Sequence, residues 1–197
     1  MTRTLPDQPL AGCSILLLAG GRGQRMGGRD KGWIHWQERA LIEHMHQVVR
    51  PLTDDLIISC NRNHERYHAL ADQLISDPCT DYPGPLIGIL EALKTAGNPQ
   101  LLVLPCDAPR IDKALLRSLH RQAGTRPVML YHQEHWQPLF SLLPVNLLPA
   151  LQEQWQAGQR SPLRALLQLQ PVAVHVADDD RRLDNFNEPA RLTETLE

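Results

Sequence analysis

The sequence predicts an α/β fold with a mostly parallel central sheet and helices on both of its faces. Two observations support this prediction: short apolar runs alternate with longer amphipathic stretches, and a glycine-rich segment directly follows the first apolar run. Strands that alternate with helices are joined by right-handed crossovers, which place successive strands parallel. A chain of 197 residues suits one such domain. We therefore expect residues 1–197 to form a single domain in which residues 1–12 are a flexible N-terminal extension.

The apolar runs are the candidate strands. The first, at residues 14–18, is bounded by glycine, which is typical of a buried parallel strand. The other runs lie at residues 56–60, 101–105, 127–131, 139–143 and, more weakly, 172–176. Helices are predicted at residues 40–50, 85–96, 112–123, 145–157 and 161–169. The last helix has Ser161 in place for an N-cap and Pro162 at its first position, where proline is favoured.

Charge and cysteine content exclude several classes of protein. The net charge of −2 and the scattered basic residues do not indicate a nucleic-acid-binding surface. No run approaches the roughly 20 apolar residues that a membrane span needs. The four cysteines form no CxxC pair and predict small core residues in a reducing compartment. We therefore expect a cytoplasmic protein that binds neither nucleic acid nor a membrane.

The segment LAGGRGQRMGGRDKG, residues 18–32, is the strongest functional signal in the chain. Glycine lets the backbone turn sharply or approach a ligand closely, because it has no Cβ. Backbone amides, three arginines and one lysine together can surround an anion. A glycine-rich loop that leaves a strand toward a helix is a usual phosphate site. The alternative is a solvated basic surface loop.

Two common phosphate loops do not match this segment. A Walker A loop requires a serine or threonine after its lysine, but Gly32 follows Lys31. A dinucleotide-binding fingerprint counted from Gly21 has Met26 in place of its third glycine. The second strand also lacks an acidic residue that could bind a ribose.

Polar residues follow several of the predicted strands. In an open parallel sheet, ligands bind outside the carboxyl ends of the strands, so these residues should converge on one crevice. They are the glycine-rich loop, the segment Ser59–Arg62, Asp77 and the segment Cys106–Pro109. A turn or a helix cap is the alternative role for each aspartate, because both precede a proline closely.

Five segments together resemble the molybdenum cofactor guanylyltransferases. The opening loop resembles the nucleotidyltransferase signature, which cytidylyl and sugar-phosphate relatives share. The other four segments are NRNHERY, DPCTDYPGPLIG, PCDAP and NFNEP, at residues 61–67, 77–88, 105–109 and 185–189. They occur in the family's order over almost the whole chain. The resemblance implies a Rossmann-like nucleotidyltransferase fold and an enzyme that transfers GMP from GTP to molybdopterin, with or without molybdenum, releasing pyrophosphate.

The resemblance also implies the roles of individual residues and the partners. It implies a triphosphate on Leu18, Ala19, Gly20 and Gly21, with Arg25 and Lys31 facing it. It implies nucleoside contacts from Ser59, Asn61 and Asp77, Mg²⁺ on Asp107, and molybdopterin near Asn185 and Asn187. The family often has asparagine where Ser59 stands, and serine lacks the paired amide. For Asn185 and Asn187, a turn before Pro189 is the alternative. Further proteins of molybdenum cofactor biosynthesis, or acceptor proteins, are implied as partners.

The implied chemistry accounts for the residue types. Transfer to an anionic acceptor depends on positioning and on neutralising charge. Arg25 offers a fork for two phosphate oxygens, and Lys31 offers a point charge. Mg²⁺ is satisfied by one or two carboxylates together with phosphate oxygens and water, so Asp107 could suffice as the protein ligand. We therefore take Lys31, Arg25 and Asp107 as the candidate catalytic residues.

Two other hypotheses compete with this one. Residues 64–68, HERYH, satisfy the HExxH pattern of zinc proteases, although no extension of that pattern follows. A solvated helix after the second strand is the simpler interpretation. A carrier that binds GTP or molybdopterin without chemistry would keep the glycine-rich loop but would need neither Lys31 nor Asp107.

Overall fold

The central element of the fold is one seven-stranded sheet. This computed structural model describes residues 8–20, 30–78 and 83–186. In spatial order the sheet contains β5 (Gln73–Ile75), β4 (Leu56–Ser59), β1 (Cys13–Leu18), β6 (Gln100–Pro105), β8 (His135–Pro144), β7 (Val128–His132) and β9 (Val172–His175). A small ribbon pairs β2 (His35–Trp36) with β3 (Arg39–Ala40).

The sheet is mostly parallel, as predicted. β1 lies parallel to both of its neighbours, β4 and β6. Only β8 runs in the opposite direction, antiparallel to β6 on one side and to β7 on the other. All other strands of the sheet therefore end at one edge, which we call the carboxyl edge.

Helices cover both faces of the sheet, which also confirms the prediction. They are α1 (Leu41–Val49), α2 (His64–His68), α3 (Pro85–Thr95), α4 (Lys113–His120), α5 (Leu148–Gln156) and α6 (Pro162–Gln168). Alternate residues of β1 point to opposite faces. Leu17 shares a core with residues of α1 and α4, whereas Leu16 shares the other core with residues of α3 and α6. Burial on both faces explains why β1 is continuously apolar from Ile15 to Leu18.

Helix boundaries follow local capping chemistry. Ser161 caps α6 by accepting a hydrogen bond from the Arg164 amide at 3.4 Å, and Pro162 is the first helical residue, as predicted. Asp112 caps α4 by accepting from the Leu115 amide at 2.8 Å. The predicted helix at 145–157 is split, since a 3₁₀ turn over Val145–Leu147 precedes α5.

Two hairpins are a difference from the sequence prediction. The β2–β3 ribbon turns at Gln37 and Glu38, and the β7–β8 hairpin turns at Gln133 and Glu134. All four residues have positive φ, between 48° and 65°, as a tight two-residue turn requires. Gln-Glu lacks the glycine or asparagine that usually marks such turns, so neither hairpin was predicted. The second hairpin makes β8 antiparallel, because so short a connection cannot join parallel strands.

Leu10 packs into the core of the domain. Residues 1–7 lie outside the described residues, but Leu10 is buried and its amide donates to the Leu52 carbonyl at 2.7 Å. Its apolar side chain joins the core beside α1. The flexible extension expected over residues 1–12 stays a prediction. In the described ranges, no helix combines the length and apolar character required for crossing a bilayer.

Cys13, Cys60 and Cys106 are buried and free, in agreement with the prediction of core thiols. Burial raises the pKa of Cys13 to about 12 and that of Cys60 to about 11. Both thiols therefore remain protonated and unreactive. Cys79 lies outside the described residues.

Candidate active site

Three strand ends form the centre of the site at the carboxyl edge. Leu18 lies beside Ser59 of β4 and Pro105 of β6. The chain stays in register just past the strands, because the Ala19 amide donates to the Ser59 carbonyl at 2.9 Å. The Cys106 amide donates to the Leu18 carbonyl at 3.2 Å. The segments predicted to bind the nucleotide therefore leave the sheet side by side.

Gly20 brings the loop of β1 against the loop of β4. A Cβ placed on Gly20 would lie 3.2 Å from Nδ2 of Asn61, tighter than most contacts of a real side chain. Glycine at this position thus leaves room for the Asn61 amide, as the predicted close approach requires. Gly21 and Arg25, the other candidates in this loop, lie outside the described residues.

Asn61 and Asp77 hold one another through two hydrogen bonds. Nδ2 of Asn61 donates to Oδ2 of Asp77 at 2.7 Å, and the Asp77 amide donates to Oδ1 of Asn61 at 2.9 Å. Burial raises the pKa of Asp77, helped by the nearby charge of Glu91, although the Asn61 hydrogen bond opposes the shift. The two predicted nucleoside residues therefore form one unit between the ends of β4 and β5.

Ser59 packs against α3. The residue is 2% exposed, and a Cβ placed on Gly88 of α3 would lie 3.0 Å from its Oγ. Gly88 therefore allows α3 to pack closely on the end of β4. The predicted contact between Ser59 and the nucleotide stays a prediction.

Lys31 and Asp107 form an ion pair in the middle of the carboxyl edge. Nζ of Lys31, on a 3₁₀ turn over Lys31–Trp33, pairs with Oδ2 of Asp107. The Lys31 side chain is 29% exposed and that of Asp107 only 5%. Asp107 lies two residues past the end of β6, in the segment where it was predicted. The structure thus brings together two candidate catalytic residues that lie far apart in sequence.

Asp107 is the described residue best suited to hold a divalent cation. Its Oδ2 is buried, and its contact among the described residues is the ion pair with Lys31. Among the residues that the structure describes, no three His, Cys, Asp or Glu side chains group together as a metal site. A cation here would have one hard protein ligand and would need the remainder from phosphate oxygens and water, which suits Mg²⁺.

Three residues near Lys31 were missed by the sequence analysis. Asp30 caps the 3₁₀ turn and accepts hydrogen bonds from the Tyr67 hydroxyl and the Asn63 amide side chain, both at 2.7 Å. Tyr67 and Asn63 come from α2 and the residue before it. The pairing joins segments far apart in sequence, so no local spacing could have revealed it.

The HERYH segment forms the short helix α2. His64, Glu65, Arg66 and His68 are exposed, and only Tyr67 points into the core. Nε2 of His64 lies 2.9 Å from Oγ of Ser76. The helix is thus the solvated element expected from the simpler interpretation of this segment.

The C-terminal part of the described chain reaches the same centre. The Phe186 amide donates to the Asp107 carbonyl at 2.8 Å, and the Phe186 ring packs 4.9 Å from that of Trp36. Arg110 pairs with Asp184 at 2.8 Å. Asn185 therefore lies next to the Asp107 segment, and its buried Oδ1 accepts no hydrogen bond from the described residues. Asn187 lies outside them.

The fold and the site together define a nucleotidyltransferase. Residues 15–175 match the sequence model of the MobA-like NTP transferase domain. A molybdenum cofactor guanylyltransferase of Pseudomonas aeruginosa (strain LESB58) is 58% identical over 191 residues, which are 95% of this chain and 96% of the relative. One of Pseudomonas syringae pv. syringae (strain B728a) is also 58% identical, over 188 residues and 94% of each chain. The chain belongs to the molybdenum cofactor guanylyltransferase family, as its sequence predicted.

Solved structures agree on the fold. The molybdopterin-guanine dinucleotide biosynthesis protein A of Archaeoglobus fulgidus has a TM-score of 0.71 at 22% identity, with 91% of this chain and 94% of that chain covered. A nucleotidyl transferase of Methanothermobacter thermautotroptrophicus has a TM-score of 0.72 at 18% identity, with 90% of this chain and 93% of that chain covered. At these identities the likeness concerns the fold.

Proposed function

We propose that this enzyme transfers GMP from GTP to molybdopterin, with or without bound molybdenum, and releases pyrophosphate in a Mg²⁺-dependent reaction. The observation that carries the proposal is the ion pair between Lys31 and Asp107 beside the end of β1. A cation and a carboxylate at this edge are what transfer between two phosphates requires. The names of the curated relatives support guanylate as the transferred group.

In the proposed reaction, a terminal phosphate oxygen of molybdopterin attacks the α-phosphorus of GTP. A new P–O bond forms, the bond between the α-phosphorus and the bridging oxygen to the β-phosphate breaks, and pyrophosphate leaves with the electron pair. Negative charge grows on the leaving oxygens, so a nearby cation lowers the barrier. Lys31 supplies that charge at the centre of the site.

The remaining residues orient the substrates. The Asn61–Asp77 unit binds the nucleoside, and the backbone from Leu18 to Gly20 binds phosphate. When bound, Mg²⁺ would neutralise phosphate charge, and Asp107 would hold it. The segment of Asn185 lies next to Asp107, and we place the molybdopterin there.

The test is incubation of the purified protein with molybdopterin, Mg²⁺ and either GTP or CTP. We expect pyrophosphate release and a guanine dinucleotide product, identified by mass spectrometry, with GTP strongly preferred. Equal turnover with both nucleotides would reject the guanylyl assignment but keep the class of enzyme. Stoichiometric binding of GTP without pyrophosphate release would indicate a carrier.

A further inference from the structure

We infer that Tyr67 and Asp30 are positioning residues that hold the turn bearing Lys31 against Asp107, an inference that rests on the proposed role of Lys31. The first observation is the hydrogen bond from the Tyr67 hydroxyl to Oδ1 of Asp30, at 2.7 Å. Tyr67 is fully buried, so its ring is fixed by the core around it. The hydroxyl therefore acts as a rigid donor to the residue that precedes Lys31.

Gly32, on the other side of Lys31, is held by the same pair. Its amide donates to Oδ1 of Asp30 at 3.2 Å, so this one oxygen receives both donors. A Cβ on Gly32 would clash with the Tyr67 hydroxyl and would lie 3.3 Å from Cζ of the ring. The residues on both sides of Lys31 thus contact one buried side chain, Asp30 through its carboxylate and Gly32 through its backbone.

The second oxygen of Asp30 is also engaged by the α2 segment. Nδ2 of Asn63 donates to Oδ2 of Asp30 at 2.7 Å. Asn63 has a left-handed backbone with φ of 55°, which asparagine tolerates better than most residues. Asp30 is the carboxylate nearest to Lys31 in sequence, yet both of its oxygens face α2. This arrangement directs the Lys31 ammonium toward Asp107 instead.

Ring contacts complete the attachment of the turn to α2. The guanidinium of Arg66 lies 3.7 Å from the centroid of the Trp33 ring, and Trp33 lies 5.2 Å from the Tyr67 ring. The HERYH segment, which resembles a zinc motif in sequence, therefore braces the lysine turn through its tyrosine and arginine. Such support matters for rate, because a misplacement of about 1 Å can cost roughly a hundredfold.

The test is Tyr67→Phe in two backgrounds, wild type and Lys31→Ala. In the wild-type background we expect kcat to fall about tenfold, a part of the loss that misplacement can cause. The Kd for GTP, measured by calorimetry, should stay within about twofold, since the hydroxyl bonds to Asp30 beside Lys31 and does not contact the nucleoside residues Asn61 and Asp77. In the Lys31→Ala background the same change should lower kcat no further, because the group being positioned is absent.

Tyr131→Phe is the matched control. This tyrosine lies on β7, with its ring 5.2 Å from Trp136 and 5.2 Å from His175, and β8 separates β7 from β6, the strand that Asp107 follows. Its kcat should equal that of the wild type. An unchanged kcat in Tyr67→Phe, or an equal fall in both backgrounds, would overturn the inference. If Lys31→Ala alone keeps wild-type turnover, the proposed role of Lys31 fails and this inference fails with it.

An exchange of Asp30 and Asn63 provides a second test. Asp30→Asn leaves one acceptor oxygen and no charge where the carboxylate accepts from three donors, so kcat should fall as in Tyr67→Phe. Adding Asn63→Asp restores an acceptor opposite a donor and should recover most of the lost kcat. Should the double variant be no faster than Asp30→Asn, the bond between these two residues does not position Lys31.

Discussion

Asp107 combines a buried carboxylate with a place at the end of a central strand. We predict that Asp107→Asn folds normally and binds GTP but loses most transfer activity, because the amide has one oxygen fewer and no charge for Mg²⁺. High Mg²⁺ or Mn²⁺ should restore part of the rate. The measurement is pyrophosphate release across a metal titration. Wild-type rates throughout that titration would make Asp107 a turn residue.

Lys31 is only partly exposed, and its ammonium faces the same centre. We predict that Lys31→Ala lowers kcat by roughly 10² to 10³, equivalent to about 2.7–4 kcal/mol, the usual loss for one electrostatic donor to a transition state. GTP binding should weaken much less, because the charge matters most as the leaving group develops. Steady-state kinetics separate the two effects. A raised KM with unchanged kcat would assign Lys31 to substrate binding alone.

Individual candidate residues could be predicted where the neighbouring sequence gives a clear functional signal. Lys31 and Asp107 stand out because one lies in a glycine-rich basic segment and the other directly follows an apolar run. Tyr67 did not stand out, because a tyrosine in a polar segment gives no sign of the distant carboxylate that it contacts. Long-range hydrogen bonds depend on how the chain packs, and the spacing of residues along the sequence does not predict that packing.

At the scale of elements, α2 gives the clearest prediction. Tyr67 is its one buried residue, so His64 can be changed without disturbing the core. We predict that His64→Ala retains guanylyl transfer and that the purified protein holds no stoichiometric zinc. Elemental analysis together with the transfer assay checks both points. One zinc per chain, lost in the variant, would restore the metalloprotease hypothesis.

Elements with strong periodicity were predicted, and short ones were missed. The apolar runs gave six of the strands, but β5 has only three residues and is half-buried, so it shows no apolar run. The strands β2 and β3 have two residues each, too few for any alternating pattern. Their pairing depends on the Gln37–Glu38 turn, whose positive φ values have no clear signal in the sequence.

At the scale of the whole molecule, stability should depend on pH through His46 of α1. Burial lowers the pKa of His46 below its ordinary 6.5, Arg50 adds to the shift, and Asp72 and Glu43 oppose it. The unfolded chain therefore takes up the proton first as the pH falls. The contribution of His46 to the free energy of unfolding is fully present above pH 6.5. It declines as the pH drops from there through the lowered pKa of the folded state.

The variant His46→Gln should remove this share of the pH dependence. We expect its urea midpoint to change less than that of the wild type between neutral pH and the lowered pKa. Urea titrations over a pH series measure the difference. Parallel pH curves for the two proteins would show that His46 does not contribute.

The topology of the whole sheet explains why the site could be located before its contacts were known. Strands of one direction end at one edge, so residues that follow β1, β4 and β6 had to meet there. The strand order and the antiparallel direction of β8 were harder to predict from the sequence, since both depend on which strands pair with each other. The shared direction of these strands was thus enough to predict the position of the candidate site.

The hydrogen bond from Phe186 to Asp107 also imposes an order on assembly during translation. The ribosome releases all seven strands of the sheet before it releases residue 186, because the last of them ends at His175. A nascent chain can therefore complete its scaffold while the peptide that bears Asp107 still lacks this tether. The hydrogen bond between Phe186 and Asp107 can therefore form only after all seven strands have been synthesised.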